Sequence, residues 1–289
     1  QAVNSRSYPL TTPVTIRVKP GVYRERVRLN NRDGTASNPL VMVADGPPGT
    51  VIVDGSDAFT WSPLSGHPNV WFADLGATPW IPPATHVIVD STRYRYNDDE
   101  DPDELQPGQY TRGGSNLVYI RTPNGIDPNQ HDVGVTNHGS TRQRAFYLSN
   151  SEYVTVDGFV LRRCSEDGIR IDGTGSRFVN VKNCVIRDNW KRGLQLQEGT
   201  DCVVENNRSH GNGRHGIFVL KTTNSRLTRN HAYRNDNPDV ARGGQTGIKV
   251  GESPGPISVT NVTVEYNVAH DNEDTGIELA WASVILVRG

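Results

Sequence analysis

Hydrophobic positions in the second half of the chain recur in one short unit: glycine, aliphatic, any residue, aliphatic. It reads GIRI at 168–171, GLQL at 193–196, GIFV at 216–219, GIKV at 247–250 and GIEL at 276–279. The spacings between the glycines are 25, 23, 31 and 29 residues. Apolar-polar alternation over such a stretch predicts a strand with one buried face. The residue between the two aliphatics then points outward, which gives a row of Arg170, Gln195, Phe218, Lys249 and Glu278.

Two further patterns run in phase with the first. Asparagines stand five apart at Asn207 and Asn212, Asn230 and Asn235, and Asn267 and Asn272, with Cys184 and Asn189 in the same two slots one unit earlier. Between them a small or aliphatic residue recurs: Ile186, Ser209, Ala232, Ala269. Ahead of each pair lies an alternating segment, as in YVTVDG, FVNVKN and VTVEYN. Three short strands per coil of about 22 residues describe a right-handed parallel β-helix, an all-β solenoid. Stacking places asparagine above asparagine, so each side-chain amide is expected to bond the next coil and satisfy turn backbone, a structural rather than catalytic role.

The first half is less regular. VTIRVKPGVYRERVRL at 14–29 and NPLVMVADGPPGTVIVDGSD at 38–57 predict pairs of strands around Pro-Gly and Asp-Gly turns. Residues 59–140 are expected to form a hairpin-rich insertion or elaborated coils, and 153–280 the regular coils, within one β-helix domain spanning 1–289. The acidic run NDDEDPDE at 97–104 reads as a solvated loop.

Composition narrows the functional classes. The 289 residues carry a formal net charge of −2, with 34% hydrophobic residues, 29 glycines and 18 prolines. Without a basic excess, nucleic acid is not the expected partner. No run approaches the roughly 18 apolar residues of a membrane span. Cys164, Cys184 and Cys202 make neither a disulfide framework nor a zinc motif. The final apolar run, ELAWASVILVRG, lacks a polar cap, so this end is expected to meet further chain or another subunit. A secreted, periplasmic or cell-surface setting is expected.

The segments VKPGVYRERV and GTASNPLVMVADGPPGTVIVDGS, followed by the Gly-aliphatic coils, resemble the right-handed β-helix superfamily of pectate, alginate and chondroitin lyases, epimerases and some glycosidases. The resemblance covers most of the chain outside the insertion; it is specific for fold and weak for reaction. GGQTGIKVGE at 243–252 is similar to the segment that carries the catalytic lysine of family 9 polysaccharide lyases, and Lys249 falls on that lysine, with Ile248 in place of an aromatic residue. The resemblance also implies a calcium site of clustered aspartates on preceding coils. This sequence departs there: the outward positions are Phe218, Gln195 and Arg170, and only Glu166 and Asp167, with Glu273 and Asp274 farther along, offer carboxylates.

The outward row suits an extended acidic polysaccharide, with Arg170 pairing a uronate, Phe218 stacking on a sugar, and Gln195, His215 and Glu252 as further contacts. β-Elimination needs the uronate carboxylate neutralised, a base for the C5 proton and a proton for the leaving oxygen. Lys249 serves as base only if its pKa falls from about 10.4 toward neutrality, and Arg242 in the preceding loop is the expected neighbouring cation. Glu278, one coil later, is either an acid or a salt-bridge partner that raises the lysine pKa. Three readings therefore stand: a polysaccharide lyase, a glycoside hydrolase pairing Glu278 with Glu252 or Asp274, and a non-catalytic carbohydrate-binding or structural module.

Overall fold

The computed structural model describes residues 7–76, 86–114, 116–136, 143–237, 244–252 and 259–288. Three parallel sheets wind into a right-handed β-helix. The first has eight strands, from Val14–Val18 to Ala282–Arg288; the second has seven, from Gly21–Tyr23 to Val268–His270. The third, which carries the Gly-aliphatic unit, stacks Val27–Asn30, Phe146–Ser149, Ile169–Asp172, Leu194–Gln197, Ile217–Leu220, Ile248–Val250 and Ile277–Leu279.

Each coil contributes the same side chain to the same depth. Ile169, Leu194, Ile217 and Ile248 pair in register and are fully buried, as are Val156, Val181, Val204 and Leu227 of the first sheet. These stacks belong to one continuous apolar cluster down the axis. The repeat glycine is required by stacking distance. A Cβ at Gly193 would stand 2.0 Å from Ser209 Oγ and 2.6 Å from the Gly216 carbonyl oxygen of the next coil.

The asparagine ladders form as the spacing predicts. Asn189 Nδ2 donates to Asn212 Oδ1 at 2.9 Å, Asn212 to Asn235 at 3.0 Å and Asn235 to Asn272 at 2.8 Å. The other ladder runs Asn207, Asn230, Asn267, and the Cys184 backbone N–H donates to Asn207 Oδ1 at 3.0 Å. Each ladder residue follows one in the left-handed region, such as Asn206 (φ 53°), Gly211 (φ 65°) and Arg234 (φ 50°). That residue bends the chain sharply, and the amide behind it satisfies the backbone that the bend leaves open. The three cysteines are free and buried.

Register defines where the solenoid is interrupted. Val51–Asp54 pairs with Val160–Arg162 in the second sheet, and Phe146–Ser149 pairs with Val27–Asn30 in the third. Residues 55–145 therefore replace the corner between the second and third strands of a single coil. Within them, Ser62–Pro63, Val70–Asp74, Arg95–Tyr96, Gln109–Gly113 and Leu117–Arg121 make a five-stranded sheet, and His86–Val89, Thr92–Arg93 and Val133–Thr136 make a three-stranded one. These sheets enclose their own apolar cluster, including Trp61, Val87, Tyr110, Val118, Ile120 and Val135.

The insertion docks on the neighbouring corners of the solenoid. His86 stacks on Trp190 at 5.6 Å and its Nε2 lies 3.1 Å from the Asp188 carbonyl oxygen, while Arg93 donates to the carbonyls of Asn189 and Gly211. Asp132 accepts from Arg162 at 2.6 Å and Arg163 at 2.8 Å, and Arg162 also reaches Asp54 at 2.8 Å.

Candidate functional site

Pairing in the third sheet sets Arg170 beside Gln195, Gln195 beside Phe218, Phe218 beside Lys249 and Lys249 beside Glu278, so the outward row expected from the sequence is a continuous column. It also extends two coils back through Tyr147 to Arg28. Tyr147 was not singled out by the sequence because Ala145 stands where the repeat has glycine; the alternation of FYLS at 146–149 was the available signal. Neighbouring strands lie about 4.8 Å apart, so the column runs the length of a few sugar units.

Lys249 Nζ lies 2.9 Å from Glu278 Oε1, with the two side chains 16% and 29% exposed. Thr246 Oγ1 donates to the other Glu278 oxygen at 3.2 Å, so this carboxylate has two partners on the preceding coil. Beside the pair, His215 is buried, stacks on Phe218 at 5.1 Å and accepts the Thr246 backbone N–H on Nδ1 at 3.4 Å. Burial, reinforced by Arg192, Lys249 and Arg214, pushes its pKa down to about 3. His215 is therefore a neutral imidazole at neutral pH.

Phe218 is 1% exposed, with Arg192 Cζ 4.8 Å from its ring centroid, so a sugar stacks on it only after Arg192 or His215 moves. Gln195 is also buried; it accepts from Arg192 at 3.1 Å and donates to Gln197 at 2.7 Å. Arg170 pairs Asp172 at 2.9 Å and donates to Gln197 at 3.3 Å. These contacts order the column as a hydrogen-bonded mosaic.

Beside it lies a second, denser charge cluster. Glu166 pairs with Lys191 at 2.8 Å and with Arg144; Asp167, fully buried, faces Arg192 at 3.6 Å and Arg144 at 3.7 Å. Arg144 in turn covers the Tyr147 ring at 5.3 Å. Burial pulls the Arg192 pKa below its usual range against the attraction of Asp167, with Arg214 and Arg170 adding to the fall. Arg144 is a site residue that the sequence reading missed, because it precedes any repeat.

The expected calcium donors do not fit that ion. Glu166 and Asp167 are already engaged by three cationic side chains, and Glu273 and Asp274 are exposed on a different coil. Among the described residues no three His, Cys, Asp or Glu side chains converge. Glu252 is exposed just beyond Ile248–Val250, and Arg242 lies outside the described residues.

Comparisons with known proteins agree with this architecture. The family model for the right-handed beta helix region matches residues 127–289. The structure described as the complex of XylC with xylose is similar with a TM-score of 0.63 at 14% identity, covering 94% of this chain and 59% of that one. Pectate lyase Pel9A gives a TM-score of 0.43 at 14% identity, covering 90% of this chain and 54% of that one. This chain thus spans less than two thirds of either. A structure described as a glycoside hydrolase gives 0.41 at 8% identity, covering 95% and 88%. No curated protein matches the sequence significantly.

Proposed function

The chain belongs to the right-handed β-helix family, and from that premise we propose that it is a carbohydrate-active protein that binds a uronic-acid-containing polysaccharide along its third sheet and cleaves it by β-elimination at Lys249. The observation that carries this reading is the in-register column from Arg28 to Glu278, flanked by Arg144, Lys191 and Arg192. A rigid strand ladder holds these groups at the repeat of the coils, and guanidinium groups bind carboxylates in a bidentate manner. A uronate entering the column exchanges with Asp172 for Arg170 or with Glu166 for Arg144.

Lys249 acts as base only when its nitrogen is free to take the C5 proton, and in the closed pair that nitrogen is held 2.9 Å from Glu278 Oε1. Catalysis therefore requires the pair to open. Thr246 keeps the Glu278 carboxylate hydrogen-bonded when it does, and the proton that Lys249 takes from C5 is passed to the leaving oxygen as the C4–O bond breaks and the C4–C5 double bond forms. His215, neutral and stacked on Phe218, supplies a polar contact without adding charge.

The closed Lys249–Glu278 pair specifically favours a second reading, a non-catalytic saccharide-binding face. One experiment separates them. The protein is incubated with pectate, alginate and glycosaminoglycans, and ultraviolet absorbance of an unsaturated product is followed alongside reducing ends. The lyase reading expects absorbance that Lys249→Ala abolishes while binding persists. Reducing ends without absorbance would replace it with hydrolysis, and binding without either product would leave the binding face.

A further inference from the structure

On a different sheet of the coil, the second, lies a cluster that the polysaccharide column does not use. His231–Tyr233 pairs in parallel with Val268–His270, with Tyr233 opposite His270. His231 thus lies diagonally across from His270, and their Nε2 atoms converge to 2.7 Å. Two ring nitrogens at that distance cannot both carry protons, so at least one presents a lone pair to the other.

We propose that His231 and His270 form a binding site for a transition-metal dication of the zinc, nickel and copper class. Two features support the assignment. His270 Nδ1 lies 3.1 Å from Asp271 Oδ2, the carboxylate–histidine arrangement that fixes the proton on Nδ1 and leaves Nε2 as ligand. The Tyr233 ring stacks on His270 at 5.4 Å and packs against His231 at 4.5 Å, so both imidazoles are oriented before any ion arrives.

Metal–nitrogen bonds of about 2.0–2.1 Å in tetrahedral geometry separate two ligand nitrogens by roughly 3.3 Å. The rings need to part by only about 0.6 Å to admit the ion. Both side chains reach solvent, so water completes the coordination, and with two protein ligands the site is open rather than a closed structural centre. Arg208 is the opposing charge: it lies next to His231 in register and donates to the Tyr233 hydroxyl at 3.1 Å. His210, stacked on Tyr233 at 4.7 Å, completes the titratable surroundings. Because the ligands come from adjacent coils, the ion staples the coil of Val268–His270 to that of His231–Tyr233 and stabilises the native state by binding it selectively.

The test uses the purified chain stripped with a chelator and dialysed. Zinc chloride is titrated by calorimetry at neutral pH, and thermal unfolding is followed at rising zinc concentration. One equivalent should bind, and the melting temperature should rise with the logarithm of zinc concentration. His231→Gln and His270→Gln should each abolish both effects, Asp271→Asn should weaken affinity about 10–100-fold, and His210→Gln should leave it unchanged. Binding should weaken as pH falls, because protons compete with the ion for the imidazole nitrogens. No binding, or an unchanged zinc response in the His231→Gln, His270→Gln double variant, would overturn the assignment. Neither result bears on lyase activity.

Discussion

His215 shows most clearly how one residue's surroundings fix its chemistry. It is buried against Phe218, with Arg192 and Lys249 nearby, and its folded pKa of about 3 lies far below the 6.5 of an unfolded histidine. Below pH 6.5 the unfolded chain takes a proton at this position that the folded chain refuses, so stability falls as pH drops from 6.5 toward 3. His210, lowered to about 4, and His86, held well below its usual range chiefly by complete burial, act in the same direction. Each contributes at most about 1.4 kcal/mol per pH unit within its window. Denaturant midpoints measured from pH 7 to pH 4 should therefore decline, and His215→Gln should flatten that slope. An unchanged slope would mean that His215 is solvated in the native protein. For Lys249, alternation fixes that it faces outward, but only tertiary pairing brings Glu278 to it, and that partner decides whether it is a base or half of an ion pair.

At the scale of the strand and its corner, the ladders carry the register. Asn212 Oδ1 accepts both the Asn189 backbone N–H and its Nδ2, while Asn212 Nδ2 donates to the Ile186 carbonyl and to Asn235. Asn212→Ala leaves two donors of Asn189 and one buried carbonyl open, at about 1–3 kcal/mol for each uncompensated group. The expected loss is about 3 kcal/mol after partial relaxation, read from urea unfolding. A loss below about 1 kcal/mol would show that water replaces the amide. This part of the fold was legible because stacking turns a three-dimensional contact into a sequence period. The left-handed residues before each ladder asparagine were not, since their identities vary from Asn206 to Arg229 to Tyr266 while their φ stays between 50° and 65°. Tyr147 and Arg144 escaped for a related reason: they enter the column on the coil that the insertion interrupts, where Ala145 breaks the glycine pattern. The limits of the insertion were hidden too, because Val51–Asp54 and Phe146–Ser149 belong to one coil although some ninety residues separate them.

For the whole molecule, the decisive contact is the one that ties the insertion to the solenoid. Arg163 is fully buried, and its Nη1 and Nη2 reach the Asp132 carboxylate at 2.8 Å and the Asp132 carbonyl at 2.9 Å. Gly134 makes the passage, since a Cβ there would stand 2.6 Å from Arg163 Cδ. Burial works against ionisation of Asp132, yet Arg163 and Arg162 together hold its pKa at about 2. This stability is present above the unfolded value near 3.8 and is lost only as pH falls toward 2, overlapping just the low end of the histidine window. Asp132→Asn keeps the carbonyl contact and the shape but removes the charge that two guanidinium groups share, leaving Asp54 as their counterion. Breaking such a pair costs about 3–5 kcal/mol when both partners are buried; the half-exposed carboxylate and the surviving Asp54 place this case near 2 kcal/mol. The loss should be local, because the insertion has its own apolar cluster and the coils have theirs. Hydrogen exchange should thus show the amides of His86–Val89 and Val133–Thr136 losing protection in Asp132→Asn while those of Val203–Glu205 and Ile217–Leu220 keep theirs. Equal loss in both regions would mean that insertion and solenoid open as one cooperative unit. In that event the Asp132 contact would stabilise the protein globally, and the docking of His86 and Arg93 on the corner at Asp188–Trp190 would be inseparable from the coils beneath.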